Sequence, residues 1–186
     1  MTRRAHDDHD PALVEKVVAS ETVYEGGFLT VDHLTVELPG GGTSGRDIVR
    51  HPGAVGVLAL DGDDVILVRQ FRVALGRVML EIPAGKIDHG EDPERTARRE
   101  LEEETGYVAG KLAHLMTLAT SAGFCDEAID LYVTTDLTRG DSHPDTDEIL
   151  EVVTMPFAEL LERIDRGEIE DGKTVVAALF HACRDY

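Results

Sequence analysis

Between Gly85 and Gly106 the chain carries a spacing of glycines, carboxylates and one arginine that leaves little choice about local structure. Gly85 is followed after five residues by Glu91, and after seven more by Arg99-Glu100-Leu101-Glu102-Glu103-Glu104-Thr105-Gly106. Asp92 before Pro93 supplies an N-cap and a proline suited to a first helical turn, and Gly106 suits the position just past a helix end. The spacing therefore predicts a helix over residues 94–105. Within it Glu100, Glu103 and Glu104 stand at i, i+3 and i+4, with Cβ atoms about 5–6 Å apart on one face. Left alone, like charges at that spacing repel by roughly 0.2–0.5 kcal/mol per pair. A cation bound among them reverses the sign of the interaction. Hard oxygen ligands at this density suit Mg²⁺ or Mn²⁺, whose usual partners are one or two carboxylates plus substrate phosphates. Without the flanking glycines, the same run would read as a solvated acidic helix face.

Charge and composition narrow the choice of partners. The 186 residues include 37 Asp and Glu against 18 Lys and Arg, a formal net charge of −19. Such a chain is repelled by phosphate backbones and anionic bilayers, so neither nucleic acid nor membrane is expected as a partner. With 42% hydrophobic residues it has the material for a core, and its length suits one domain with a small appendage. Two cysteines, Cys125 and Cys183, are too few for a disulfide framework and lack zinc-site spacing. Together with the lack of an apolar leader after Met1, they lead us to expect a reduced, cytoplasmic setting. No stretch approaches the ~18 apolar residues of a membrane span. Residues 1–12 are expected to be a disordered tail.

Ahead of the helix, short alternating runs at Lys16 to Tyr24, Phe28 to Leu38 and Arg46 to Arg50 predict strands, broken by Gly26-Gly27 and by the Pro39 to Gly45 turn. Residues 13–50 thus read as a small β-rich arm, and residues 51–186 as the main body. In that body Ala54 to Leu60, Val65 to Gln70, Val78 to Pro83, Leu112 to Leu118, Ile129 to Thr135 and Ile149 to Met155 predict strands. Phe157 to Arg166 and Thr174 to Arg184 predict further helices, with apolar residues three and four apart, as in Leu160-Leu161-Ile164.

Position by position, the stretch from Gly85 to Gly106 resembles the Nudix box of the Nudix hydrolase family; the one loose point is Tyr107, where an aliphatic residue is usual. The surroundings resemble the ADP-ribose pyrophosphatase branch of that family. The likeness lies in Arg69-Gln70-Phe71-Arg72, Leu80-Glu81-Ile82-Pro83-Ala84-Gly85-Lys86, Ser121-Ala122-Gly123-Phe124-Cys125-Asp126-Glu127 and Arg46-Asp47-Ile48-Val49. Ala122 departs from the branch, which usually has proline there. The resemblance implies an α+β Nudix fold, an α/β/α sandwich with a mixed β-sheet, preceded by an arm that supports a homodimer. It also implies Mg²⁺-dependent hydrolysis of ADP-ribose to AMP and ribose 5-phosphate. The alternatives are a pyrophosphatase for another nucleoside diphosphate sugar, such as GDP-mannose, and a non-catalytic ADP-ribose sensor.

Carried over residue by residue, the resemblance assigns metal binding to Glu100, Glu104, Glu103 and the main-chain carbonyl of Ala84. Glu103 is also a candidate catalytic residue. The general base is expected in the Asp145 to Val152 stretch, at Glu148, with Asp147 second. Arg46, Arg72 and Glu81 match substrate-contacting positions, and Arg69 is a weaker match. Because the chain has no Trp, adenine stacking falls to Phe28, Tyr24 or an arginine plane. Glu91 and Arg99 are expected to pair and hold the loop against the helix, and Gly85 and Gly106 to accept positive φ.

Overall fold

A computed structural model of the chain describes residues 11–140 and 149–184, which form two compact units. The first unit is a three-stranded antiparallel meander of β1 (Lys16–Glu25), β2 (Thr30–Glu37) and β3 (Thr43–Arg50). Strand β3 begins three residues earlier than the sequence pattern predicts, because β2 supplies partners for Thr43, Ser44 and Gly45 at Glu37, Val36 and Thr35. Ser121–Asp126 belongs to this unit as well. The amide of Val49 donates to the Phe124 carbonyl at 2.7 Å, that of Asp126 donates to the Val49 carbonyl at 3.1 Å, and Arg50 bridges Asp32 and Asp126. Every residue of β1 is exposed, including Val17, Val18, Val23 and Tyr24.

The second unit is built on β4 (Ala54–Asp61) and β5 (Asp64–Arg72), a hairpin turned by Gly62 at φ 63°. Around it lie β6 (Arg77–Glu81), β7 (Ala84–Lys86), α1 (Pro93–Thr105), β8 (Tyr107–Ala109), β9 (Ala113–Ala119), β10 (Ala128–Thr134), β11 (Leu137–Arg139), β12 (Leu150–Pro156), α2 (Phe157–Asp165) and α3 (Gly172–Ala182). The main sheet runs β12-β5-β4-β10-β9, with β6 on β5 and β7 on β4. Strands β4 and β10 pair in parallel and the other pairs are antiparallel, so the sheet is mixed, as expected.

Strand periodicity then sorts the core onto two faces. Leu58 and Leu60 of β4, with Val65 and Leu67 of β5, pack with Leu160 of α2 and Ala177 and Ala178 of α3. Val55, Val57 and Ala59, with Ile66, pack instead with Ala97 and Leu101 of α1. The alternate residues of one hairpin thus meet helices on opposite sides, which produces the α/β/α sandwich. The three-residue strands β7, β8 and β11 were not predicted, since a run that short carries no measurable period. Tyr107, at the loose position of the box, buries its ring beside Leu101, while its hydroxyl accepts from Arg139 Nη2 at 2.8 Å.

Candidate active site

The helix that carries the glutamates is fixed at both ends by the residues that predicted it. Asp92 accepts from the amides of Glu94 at 3.0 Å and Arg95 at 3.2 Å, Pro93 opens the first turn, and Gly106 sits at φ 74° with its amide on the Glu102 carbonyl. Caps of this kind are each worth about 1 kcal/mol. With register and length set, Leu101 and Ala97 face the core, which turns Glu100 and Glu104 toward β7.

Strand β7 brings the backbone to those carboxylates. Ala84 donates its amide to Glu104 Oε2 at 3.1 Å. A Cβ built on Gly85 would overlap the Glu100 carboxylate. The expectation of a positive φ at Gly85 is therefore corrected. Positive φ among the described residues occurs at other glycines, Gly106 included, whereas Gly85 is needed because Glu100 occupies the space of its missing side chain.

Arg99 is the counter-ion of this corner. It donates to Glu91 Oε2 at 3.1 Å and to Glu103 Oε2 at 2.8 Å, and lies 3.0 Å from Glu100 Oε1. Glu91 is further held by the Thr96 hydroxyl at 2.9 Å. Burial would push the Arg99 guanidinium down, but the Glu91 hydrogen bonds and the charges of Glu100 and Glu103 more than reverse this, and its pKa is raised. The same hydrogen bonds from Arg99 and Thr96 hold the Glu91 carboxyl below the ordinary carboxylate value.

Among the described residues no three His, Cys, Asp or Glu side chains are gathered into a ready-made metal cage. The donor set nonetheless fits a hard divalent cation. Mg²⁺ takes one or two protein carboxylates and fills its octahedron with water and substrate phosphate. Glu100 and Glu104 provide oxygens of that kind at one strand-helix junction, beside the Ala84 backbone, while Glu103 is engaged by Arg99.

A second ionic group lies on the same unit. Glu81, at the end of β6 and 2% exposed, accepts from Arg72 in fork geometry, Nε to Oε1 at 2.8 Å and Nη2 to Oε2 at 2.7 Å. Lys173 also donates to Oε2, and reaches Asp171 Oδ1 at 3.0 Å. Asp171 caps α3 by accepting from the Thr174 amide at 3.0 Å, and Thr174 Oγ1 accepts from the Ile82 amide at 2.8 Å. Burial pushes the Glu81 carboxyl up, but Arg72 and Lys173 outweigh it and the pKa is lowered. The Arg72 guanidinium is raised by its Glu81 hydrogen bond and by the charges of Glu81, Glu104 and Asp171, so the two ionic groups lie within electrostatic reach of each other.

The remaining candidates are placed as follows. Arg46 in the first unit is engaged by Glu15, Ser44 and the Gly45 carbonyl. Phe28, half exposed, packs edge-on against His51 with ring centroids 5.5 Å apart. Arg69 forms an exposed ion pair with Glu151 at 2.6 Å. Glu148 and Asp147 lie outside the described residues. Sequence reasoning missed Lys173. Its only signal was a solitary lysine directly after a helix-capping Asp-Gly, and its partner Glu81 is 92 residues away.

Comparison with known proteins agrees with this fold. The chain is 43% identical to the methanol dehydrogenase activator of Bacillus methanolicus over 169 residues, 89% of this chain and 91% of the relative. It is equally identical, with the same coverage, to the ADP-ribose pyrophosphatase of Bacillus subtilis (strain 168). A solved structure described as an ADP compounds hydrolase superposes with a TM-score of 0.81 over 91% of this chain and 94% of that one, at 24% identity, a likeness of fold. A family model for the NUDIX domain matches residues 50–178, a span that contains both ionic groups. The chain belongs to the NUDIX family.

Proposed function

We propose that the chain is a Mg²⁺-dependent pyrophosphatase that hydrolyses ADP-ribose to AMP and ribose 5-phosphate. The observation that carries this is the pairing, within one unit, of a carboxylate corner at Glu100 and Glu104 with a partly exposed guanidinium at Arg72. A diphosphate diester needs both, a divalent cation on its oxygens and a planar donor that binds them directly. The ADP-ribose pyrophosphatase name of the Bacillus subtilis relative supports the substrate.

In this proposal Glu100, Glu104 and the Ala84 carbonyl hold the metal, with Glu103 available to it on leaving Arg99. Those residues would hold Mg²⁺, or Mn²⁺ in its place, which would supply neutralisation of the diphosphate charge and a lowered pKa for a bound water. The Arg72 donors orient the diphosphate. Glu148, or Asp147 beside it, takes the proton as the water oxygen bonds to one phosphorus and the bridging P–O bond breaks, leaving with the other phosphate. Arg46 and Phe28 serve the remainder of the nucleotide. Glu91 and Arg99 keep the loop on the helix.

The test is AMP release from ADP-ribose by the purified protein with Mg²⁺, compared by kcat/KM with GDP-mannose and other nucleoside diphosphate compounds. No AMP from ADP-ribose overturns the assignment, preference for GDP-mannose moves it to the neighbouring substrate, and tight binding without turnover makes the chain a sensor. We also propose a homodimer formed through the exposed β1 and its Val17, Val18, Val23 and Tyr24. A solution mass near twice 20.3 kDa is the expected result. We also propose a cytoplasmic setting, in which Cys125 and Cys183, which form no disulfide among the described residues, stay reduced.

A further inference from the structure

We infer that Lys173 is a positioning residue of the diphosphate site, acting through Glu81 to set which edge of Arg72 faces the substrate. The inference rests on the function proposed above. Glu81 is buried, and its two oxygens receive three donors, two from Arg72 and one from Lys173. The fork pair uses the Nε and Nη2 edge of the guanidinium. Among the described residues Nη1 has no hydrogen-bond partner, and the Arg72 side chain is 39% exposed. The inner edge of Arg72 is thus anchored and the outer edge is left for phosphate oxygens.

Lys173 makes that division possible. Its side chain is 10% exposed and is pinned at the start of α3 by Asp171, which itself caps the helix. Arg72, Lys173, Glu81 and Asp171 sum to zero formal charge. Without the ammonium the group would carry a net negative charge, with a buried Glu81 oxygen short of a donor, a costly condition in a dry site. Arg72 is the mobile cation nearest to hand. Turning another of its N–H groups inward satisfies Glu81 and removes a donor from the substrate. The loss falls on ground-state binding, so it is read in KM more than in kcat.

The experiment measures KM and kcat for ADP-ribose in wild type, Lys173→Met, Arg72→Met and the double variant, below the melting temperature of each. Lys111→Met, an exposed lysine of the same unit, controls for the loss of one positive charge. Lys173→Met is expected to raise KM about tenfold with kcat within about threefold, and Lys173→Arg to recover most of the loss. The double variant is expected to match Arg72→Met, because a residue that acts through another adds nothing once its target is gone. A lowered melting temperature with unchanged KM, or additive effects in the double variant, overturns the inference. Should Lys173→Met not fold, Glu81→Gln keeps the volume and removes the shared anchor, and a wild-type KM there overturns it equally. If the wild type binds ADP-ribose without hydrolysing it, the functional proposal fails alone, and the same comparison made on calorimetric Kd values decides the role of Lys173.

Discussion

Two ionic groups sit on the same unit with opposite constitution. At Arg99 one cation serves several carboxylates, those of Glu91, Glu100 and Glu103, with Glu104 close by on the same helix. At Glu81 one buried carboxylate serves two cations, Arg72 and Lys173. The first group has negative charge to spare and the second holds donors in reserve. Separate groups of opposite sign let a chain of net charge −19 bind a polyanion. In the function proposed above the surplus at the box helix attracts a divalent cation, and the cations Arg72 and Lys173 are held on their inner side by Glu81 and Asp171. Net charge sets the general field, but a few arranged groups act locally on a small diphosphate.

Metal removal should separate the two groups most sharply. Chelation with EDTA is expected to abolish hydrolysis while shifting the melting temperature by only a few degrees, because Arg99 already offsets part of the charge of the box carboxylates. Unfolding on chelation would show instead that the metal is part of the fold. Glu104→Gln comes next, with a fall in kcat of at least about a hundredfold and a retained circular dichroism spectrum. Full activity in that variant would remove Glu104 from the metal site. Gly85→Ala is expected to cost about 1–3 kcal/mol in denaturant unfolding, together with loss of activity, since the methyl group displaces the Glu100 carboxylate. Wild-type behaviour would mean that the close approach is not needed.

The smallest effect belongs to the second group and is a pH dependence. Glu81 has its carboxyl pulled below the ordinary value of 4.5, against its burial, by Arg72 and Lys173. A depressed carboxylate contributes stability that is present above its unfolded pKa and is lost as the pH falls through the folded one. The stability difference between wild type and Glu81→Gln should therefore be constant above about pH 5 and shrink below pH 4.5. A difference that stayed flat into acid would show that the ion group contributes nothing beyond packing.

What could be read from the chain before any coordinates depended on how local the cause was. Helix α1 was legible to within a residue because Asp92, Pro93 and Gly106 act on their own neighbours. The long strands were legible from their alternation, and the mixed sandwich followed from a resemblance carried by the stretch from Gly85 to Gly106 and its surroundings. The start of β3 at Thr43 was not, because glycine and serine signal a turn and only the facing β2 makes them a strand. The reason for Gly85 was missed for a like cause. A glycine required by its own φ and a glycine required by a side chain fifteen positions on look the same in sequence. Lys173 lay further out of reach, tied to Glu81 across 92 residues by a fold that brings the end of β6 to the first turn of α3.

Strand β1 has a consequence for handling the protein. Among the described residues, a ten-residue strand with both faces exposed is held mainly by its ladder to β2. If a second copy covers it, the thermal midpoint of the first unit becomes a function of protein concentration, rising as the solution is concentrated and falling on dilution, while the second unit, with its own two-faced core, melts at a midpoint independent of concentration. Calorimetry over a hundredfold range of concentration would then resolve the molecule into one transition that moves and one that stays.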